Sequence, residues 1–345
     1  MNRMGWCKKR NAVLTLVFMA VVFCCNMAGA LQRQLEKEAV SNPVIPDSAV
    51  YVGIGEAVMM VDPSTGERQL IAGSTRGGGI DLNYGGFDLE DGENLVAVTY
   101  SDGVKIVHVD RLTGDREILP GLGDYFVEAV VIRRETAGTY VILDQVRGVV
   151  RLDPGDGSHD VLMTGYIMGL FVNDLDFEAD GDLVMAGPGY GVIRVNAPGG
   201  GRITIADYET GSGEPVGSPK NVAVLPDGDY AFTNGSSNVL RVNPDTGVRT
   251  ILSGSGTGTG QNFSDPDCLR VNSDGKLIVW DIGLEAVFEV DPSSGNRRVI
   301  SSSTLGVGTG PDLFKDLTGF HSRFMAVDLE QRPTGVRRDS WLFYE

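Results

Sequence analysis

The sequence predicts an all-β protein made of like units that close into a ring. Three observations carry that expectation. First, an eleven-residue phrase returns six times without a gap: VDPSTGERQLI (from Val61), VDRLTGDREIL (from Val109), LDPGDGSHDVL (from Leu152), VNAPGGGRITI (from Val195), VNPDTGVRTIL (from Val242) and VDPSSGNRRVI (from Val290). The copies align on Gly66, Gly114, Gly157, Gly200, Gly247 and Gly295, at intervals of 48, 43, 43, 47 and 48 residues. Second, most copies follow another hairpin signature. Third, the chain's two ends are complementary, one short of a strand and the other in surplus. A unit of this length cannot bury its own apolar face and must stack on its copies. Four-stranded units at this period are blades of a β-propeller.

The elements follow in order. Arg3, Lys8, Lys9 and Arg10 precede an uncharged run from Ala12 to Cys25 and the small-x-small Ala28-Gly29-Ala30. That is the pattern of a cleaved export signal over residues 1–30, and the run is shorter than the ~20 residues of a membrane span. Residues 31–49 carry no strand signal and are expected to be an N-terminal arm, with one propeller domain over 50–345. The first unit begins at VYVG (Val50–Gly53) and passes straight to its phrase, without a first strand.

Later phrases are preceded by GVVRL (Gly148–Leu152), GVIRV (Gly191–Val195), NVLRV (Asn238–Val242) and AVFEV (Ala286–Val290). Apolar residues there flank one outward polar residue, the period of a half-buried strand. In the phrase itself an early Asp or Asn can bond the backbone ahead of it, and the constant glycine supplies a positive φ. The phrase is therefore a turn between two strands. Further upstream, Asp91-Gly92, Asp180-Gly181, Asp227-Gly228 and Asp274-Gly275 mark a second tight hairpin, and Ala137-Gly138 takes that place in the third unit. Each unit thus holds four antiparallel strands, joined to the next by glycine-rich stretches such as Ser253–Phe263. SRFMAVDL (Ser322–Leu329) and SWLFYE (Ser340–Glu345) remain after the last phrase, and a C-terminal strand that completes the first blade would shut the ring. The count is six blades, with seven as the alternative.

Loss of residues 1–30 removes four cations and no acid, taking the formal net charge from −17 to −21. A surface of that sign repels phosphate backbones and anionic membranes, so nucleic acid and membrane are excluded as partners of the mature chain. Of the four cysteines only Cys268 survives cleavage, which leaves no internal disulfide. Cys268 lies beside Leu269 and is expected to be a buried structural thiol. The chain reads as a secreted or periplasmic monomer.

The segment Gly258–Ile300 (GTGQNFSDPDCLRVNSDGKLIVWDIGLEAVFEVDPSSGNRRVI), with fainter copies over nearly all of 50–330, resembles the repeats of NHL-repeat and gluconolactonase/regucalcin-like six-bladed propellers. That resemblance implies the fold and leaves the activity open among lactonases, lyases and plain binding platforms. The lactonases hold a divalent metal through an asparagine ahead of a Pro-Asp-Gly turn. With Ser218–Asn234 aligned on Pro226-Asp227-Gly228, that ligand position falls on Lys220, beside Asn221, and the family's later aspartate falls near Asn234. A lysine there repels a metal, and the early metal-binding glutamate has no clear counterpart. A streptogramin-lyase-like activity implies a catalytic histidine. The three available are His108, at an outward strand position, His159, just after a turn glycine, and His321, in the C-terminal segment.

Three residues are the candidate metal ligands: Asp144 in VILD, Asn234 in AFTN and Asp281 in IVWD, with Thr99 or Tyr100 in a further unit. They end second strands, so they should face one rim beside the glycine-rich connections. Carboxylates and an amide converging there suit a hard cation such as calcium. The competing reading is that each side chain satisfies backbone N–H groups of its own turn. Arg68, Arg116, Arg202, Arg249 and Arg297 recur two positions after the phrase glycine. They are expected on the outer hairpin, paired with nearby acids at ~0–1 kcal/mol each, rather than as a ring of anion ligands. Asp176, Glu178 and Asp180 imitate the start of a calcium loop, but its twelfth position is Gly187.

The functional expectation is an exported, non-catalytic propeller that binds a protein or small molecule outside the cytoplasm. The working rim would be Gly73–Gly86, Tyr208–Lys220, Ser253–Asp267 and Ser301–Leu317. The alternative is a divalent-metal-dependent lactonase, hydrolase or lyase using Asp144, Asn234 and Asp281. A third reading is a scaffold within a larger cell-surface assembly.

Overall fold

The computed structural model describes residues 43–46, 48–54, 56–90, 94–122, 125–135, 137–164, 172–196, 201–311 and 324–327. The export-signal segment and most of the N-terminal arm lie outside them. The described strands form six sheets. Blade I contains β1 (Val50–Ile54), β2 (Ala57–Val61) and β3 (Arg68–Ala72); blade II contains β4 (Tyr84–Leu89), β5 (Asn94–Thr99), β6 (Lys105–Asp110) and β7 (Arg116–Ile118). Blade III is β8 (Ala129–Arg134), β9 (Tyr140–Asp144), β10 (Gly148–Leu152) and β11 (His159–Met163); blade IV is β12 (Asp174–Phe177), β13 (Leu183–Gly187), β14 (Gly191–Asn196) and β15 (Gly201–Ala206). Blade V is β16 (Ser212–Gly213), β17 (Asn221–Val224), β18 (Tyr230–Thr233), β19 (Val239–Val242) and β20 (Val248–Ser253); blade VI is β21 (Pro266–Val271), β22 (Leu277–Asp281), β23 (Ala286–Val290) and β24 (Arg297–Ser302).

The last strand, β25 (Phe324–Val327), pairs antiparallel with β1, Val50 opposite Val327 and Tyr51 opposite Ala326. It is the innermost strand of blade I. The innermost strands β4, β8, β12, β17, β21 and β25 follow one another around the axis, so the ring has six blades and is closed by strands from the chain's two ends. Blade V departs from the four-stranded plan. β16, from the connection ahead of it, adds a short parallel strand to the outer edge of β20.

Second strands are buried on both faces, as in YVILD and LIVWD, because each blade is sandwiched between two others. The core is accordingly a set of apolar layers in the seams, such as Val98 and Ile106 of blade II, with Phe126 of the connection, against Ile132, Tyr140 and Val150 of blade III. The third strands of blades III to VI keep one half-buried polar residue, and there Arg151 meets Glu135 at 2.6 Å and Arg194 meets Glu178 at 2.5 Å. The described end of the arm has no strand, but it is held: Ala49 is fully buried and Ile45 packs on the core.

The phrase folds as a turn capped by its Asp or Asn. In the first copy, Asp62 Oδ1 accepts the Ser64 N–H (2.8 Å) and Gly66 N–H donates to Asp62 O (2.8 Å). The glycine has a second role. At Gly295, with φ +71°, a Cβ would stand 2.3 Å from Leu252 O of blade V, so this position serves both the turn and the seam.

Candidate binding rim

Antiparallel pairing places the first-to-second and third-to-fourth turns of every blade at one end of the ring. The second-to-third turns and the inter-blade connections lie at the other end, which is the candidate rim. Asp144 closes β9 and is fully buried. Its Oδ2 accepts the N–H groups of Val127 (2.8 Å) and Glu128 (3.0 Å), and its Oδ1 those of Val146 (2.9 Å) and Arg147 (2.8 Å). Asp281, equally buried at the end of β22, accepts from Ser264 N (2.7 Å), Asp265 N (3.1 Å) and Leu284 N (2.9 Å). Asn234 accepts from Ser236 N (3.1 Å) and Ser236 Oγ (2.6 Å) and donates to Pro215 O (3.2 Å). Thr99 accepts from Asn83 N (3.0 Å) and donates to Asp81 O (2.9 Å). Each of these residues ties the turn of its blade to the connection that enters the same blade. Their hydrogen bonds bring none of the three predicted ligands to another.

Nearby, Tyr100 donates to Ala129 O at 2.5 Å. Burial, followed by the charges of Glu128 and Asp144, raises its hydroxyl well above the ordinary phenol value.

Lys220 holds the mouth between blades V and VI. Its Nζ lies 2.9 Å from Asp265 Oδ1 and 2.9 Å from Asp267 Oδ1. Burial works to lower the ammonium, but hydrogen bonds to the two aspartates outweigh it and the net shift is upward. The neighbouring Asn221 is buried, and its Oδ1 accepts from Leu269 N (3.1 Å) and Arg270 Nη1 (2.9 Å). Sequence reasoning missed this ion triad. One signal was available: Asp267 follows Lys220 by 47 residues, one repeat interval.

The arginine column differs from the expectation. Arg68, Arg116, Arg249 and Arg297 are 5–9 % exposed and bond backbone carbonyls of the preceding connection rather than acids. Arg297 donates from Nε to Gln261 O (2.9 Å) and from Nη1 to Thr257 O (2.8 Å), Gly254 O (3.2 Å) and Ser253 Oγ (2.9 Å). Arg68 does the same to Pro311 O (2.8 Å) and Val307 O (3.1 Å), Arg116 to Gly73 O (3.0 Å), and Arg249 to Thr210 O (2.9 Å). These four are latches that clamp one blade's exit loop onto the next blade. Arg202 is not: it is exposed and donates to Tyr190 OH at 2.7 Å in its own blade. In blade III the position is His159, exposed and stacked on Tyr125 with ring centroids 3.9 Å apart.

His108 sits on β6 with Nδ1 3.3 Å from Glu90 Oε2, and His321 lies outside the described residues. The calcium-loop mimic is strand and turn. Carboxylate oxygens of Glu178, Asp180 and Asp182 come within 4.8 Å of one another, yet Glu178 is engaged by both Arg194 and Tyr230 OH (2.6 Å) and Asp182 by Asn196 Nδ2 (2.6 Å). Cys268 is buried, as expected.

The axis itself is polar. Asp174 of blade IV accepts from Arg133 Nη2 of blade III (2.6 Å) and from Arg270 Nη1 of blade VI (2.8 Å). Blades IV and VI are not neighbours, so the second bond reaches past blade V on the inner side of the ring. Burial raises the Asp174 carboxyl, opposed by the Arg133 charge and the Val222 N–H.

These features define a six-bladed β-propeller whose rim polar groups are largely bonded internally. No family model and no curated protein matches the sequence. Solved structures do resemble it. One chain of a nidogen/laminin complex aligns with TM-score 0.61 and 10 % identity, over 83 % of this chain and 100 % of that one. A protein of unknown function from Bacteroides thetaiotaomicron aligns with TM-score 0.51 and 12 % identity, over 74 % and 79 %. Virginiamycin B lyase from Staphylococcus aureus gives 0.45 and 14 %, over 64 % and 70 %. At such identities the likeness shows the fold alone.

Proposed function

We propose that the chain is an exported β-propeller of the NHL and gluconolactonase-like kind, acting outside the cytoplasm as a binding module for a protein or small ligand. The observation that supports this reading is the state of the rim. Asp144 and Asp281 hold their oxygens against backbone N–H groups. Where the enzymes of that kind place a metal ligand, Lys220 supplies a cation of its own. Two aspartates keep Lys220 charged, and a charged ammonium is neither base nor nucleophile. What the rim offers a partner is surface, including Tyr208, which is 81 % exposed on the connection into blade V.

The test is a thermal melt of the chain as purified, after EDTA, and with calcium restored. Binding without a metal predicts superimposable curves. An ion held at 100 times its dissociation constant adds ~2.7 kcal/mol, so a reversible drop of several degrees with EDTA would overturn the reading in favour of a metalloenzyme.

A further inference from the structure

We propose that the outer seam between blades II and III is a binding site for one small, uncharged aromatic molecule. The site lies at the outer edge of the connection from blade II into blade III, away from Lys220 and Tyr208, and does not depend on what the other connections bind.

Its origin is a proline. In the other five blades the fourth strand pairs up to the first or second residue of the third: Ala72 with Val58, Met163 with Val149, Ala206 with Val192, Ser253 with Val239 and Ser302 with Ala286. In blade II pairing stops at Ile118 opposite Val107, followed by one bond from Leu119 N to Ile106 O (2.8 Å). The next residue is Pro120, which has no N–H to continue the ladder. The chain turns away, and the start of β6 loses its covering strand.

A cavity of about 190 Å³ opens there. It is lined by Val104, Ile106, Ile118, Leu119, Leu122 and Phe126. An apolar cavity of ~150 Å³ lined by Leu, Ile and Phe stays dry and takes up benzene, so this volume suits one ring system. Entry requires no unfolding, because Ile118 is 46 % exposed and Pro120 and Gly121 are exposed beside it. No acid lines the cavity, so a cationic ligand would be buried there without a counter-charge. The seam is also one of those without an arginine latch, since His159 takes that position. The connection that walls the cavity is held instead beyond it, where Tyr125 O accepts from Arg147 Nε (3.1 Å).

The experiment is a titration of the full chain with 5-fluoroindole, read by fluorine NMR. We expect one saturable site, binding at least tenfold weaker in Ile118→Trp, and no change in Ile203→Trp, whose side chain is similarly exposed (48 %) on β15. Benzylamine should bind at least tenfold more weakly than the indole. Nuclear Overhauser contacts from the ring to the Ile106 and Ile118 methyls locate it in the unaltered chain, independent of any variant's folding. Absence of saturable binding, equal affinity in Ile118→Trp, or contacts to other methyls would each overturn the proposal.

Discussion

Arg297 shows what one side chain does in this ring. A planar guanidinium reaches several carbonyls at once, where a lysine ammonium offers only a compact point charge. Arg297→Lys is expected to cost about 2–4 kcal/mol, from charged hydrogen bonds of ~1.5–3 kcal/mol each that are partly replaced. Arg202→Lys, exposed and outside any latch, should stay within about 0.5 kcal/mol, and denaturant unfolding of the two variants compares them directly. The column was legible in the sequence but its role was not, because the partners are backbone carbonyls and carry no side-chain signature. Lys220 makes a second prediction, in pH. Its folded pKa lies above the unfolded value near 10.5, so its stabilisation is complete below that value and is lost as pH rises through the folded one. The difference in stability between the natural chain and Lys220→Met should be constant from pH 7 to 9 and shrink above pH 10.5. A difference that grows with alkalinity would refute the triad's role.

At the scale of the element, the connections carry the distinction between seams. In the loop into blade VI, Gly258 has φ +74°, and a Cβ there would sit 1.9 Å from Gly295 O. Gly256, two residues earlier at φ +85°, faces open space. Gly258→Ala should therefore cost at least ~3 kcal/mol, strain plus clash, whereas Gly256→Ala should cost only the ~1–2 kcal/mol of a left-handed residue; melts of both variants decide it. Strands and turns were readable from the sequence, since the Asp-Gly pairs and phrase glycines are local chemistry. The short β7 and the added β16 were not read. The first depends on one proline at the end of an otherwise ordinary phrase, and the second on a loop lying against another blade's edge. The candidate site was only partly readable: the shared rim of Asp144, Asn234 and Asp281 and the bonds to their own turns followed from strand ends, but the N–H groups of Val127, Glu128, Ser264 and Asp265, which complete the two aspartates, come from connections 16–17 residues away.

For the whole molecule, the ring stands on the pairing of β1 with β25. A chain ending at residue 323 would leave the inner edge of blade I unpaired, and an open edge invites pairing with another chain. Such a truncation should lose its cooperative melt and self-associate, as read by calorimetry and gel filtration; a monomer with the natural midpoint would show that closure contributes nothing. The same pairing also sets an order of events. Bringing together ends about 275 residues apart costs about 5 kcal/mol of chain entropy from (3/2)RT ln n, so the local hairpins form first and the seal comes last. During synthesis the seal cannot form at all until residue 327 has been added. Everything from blade I to β25 must therefore be made while the first blade is still incomplete, and the finished circle reports only that synthesis has passed residue 327.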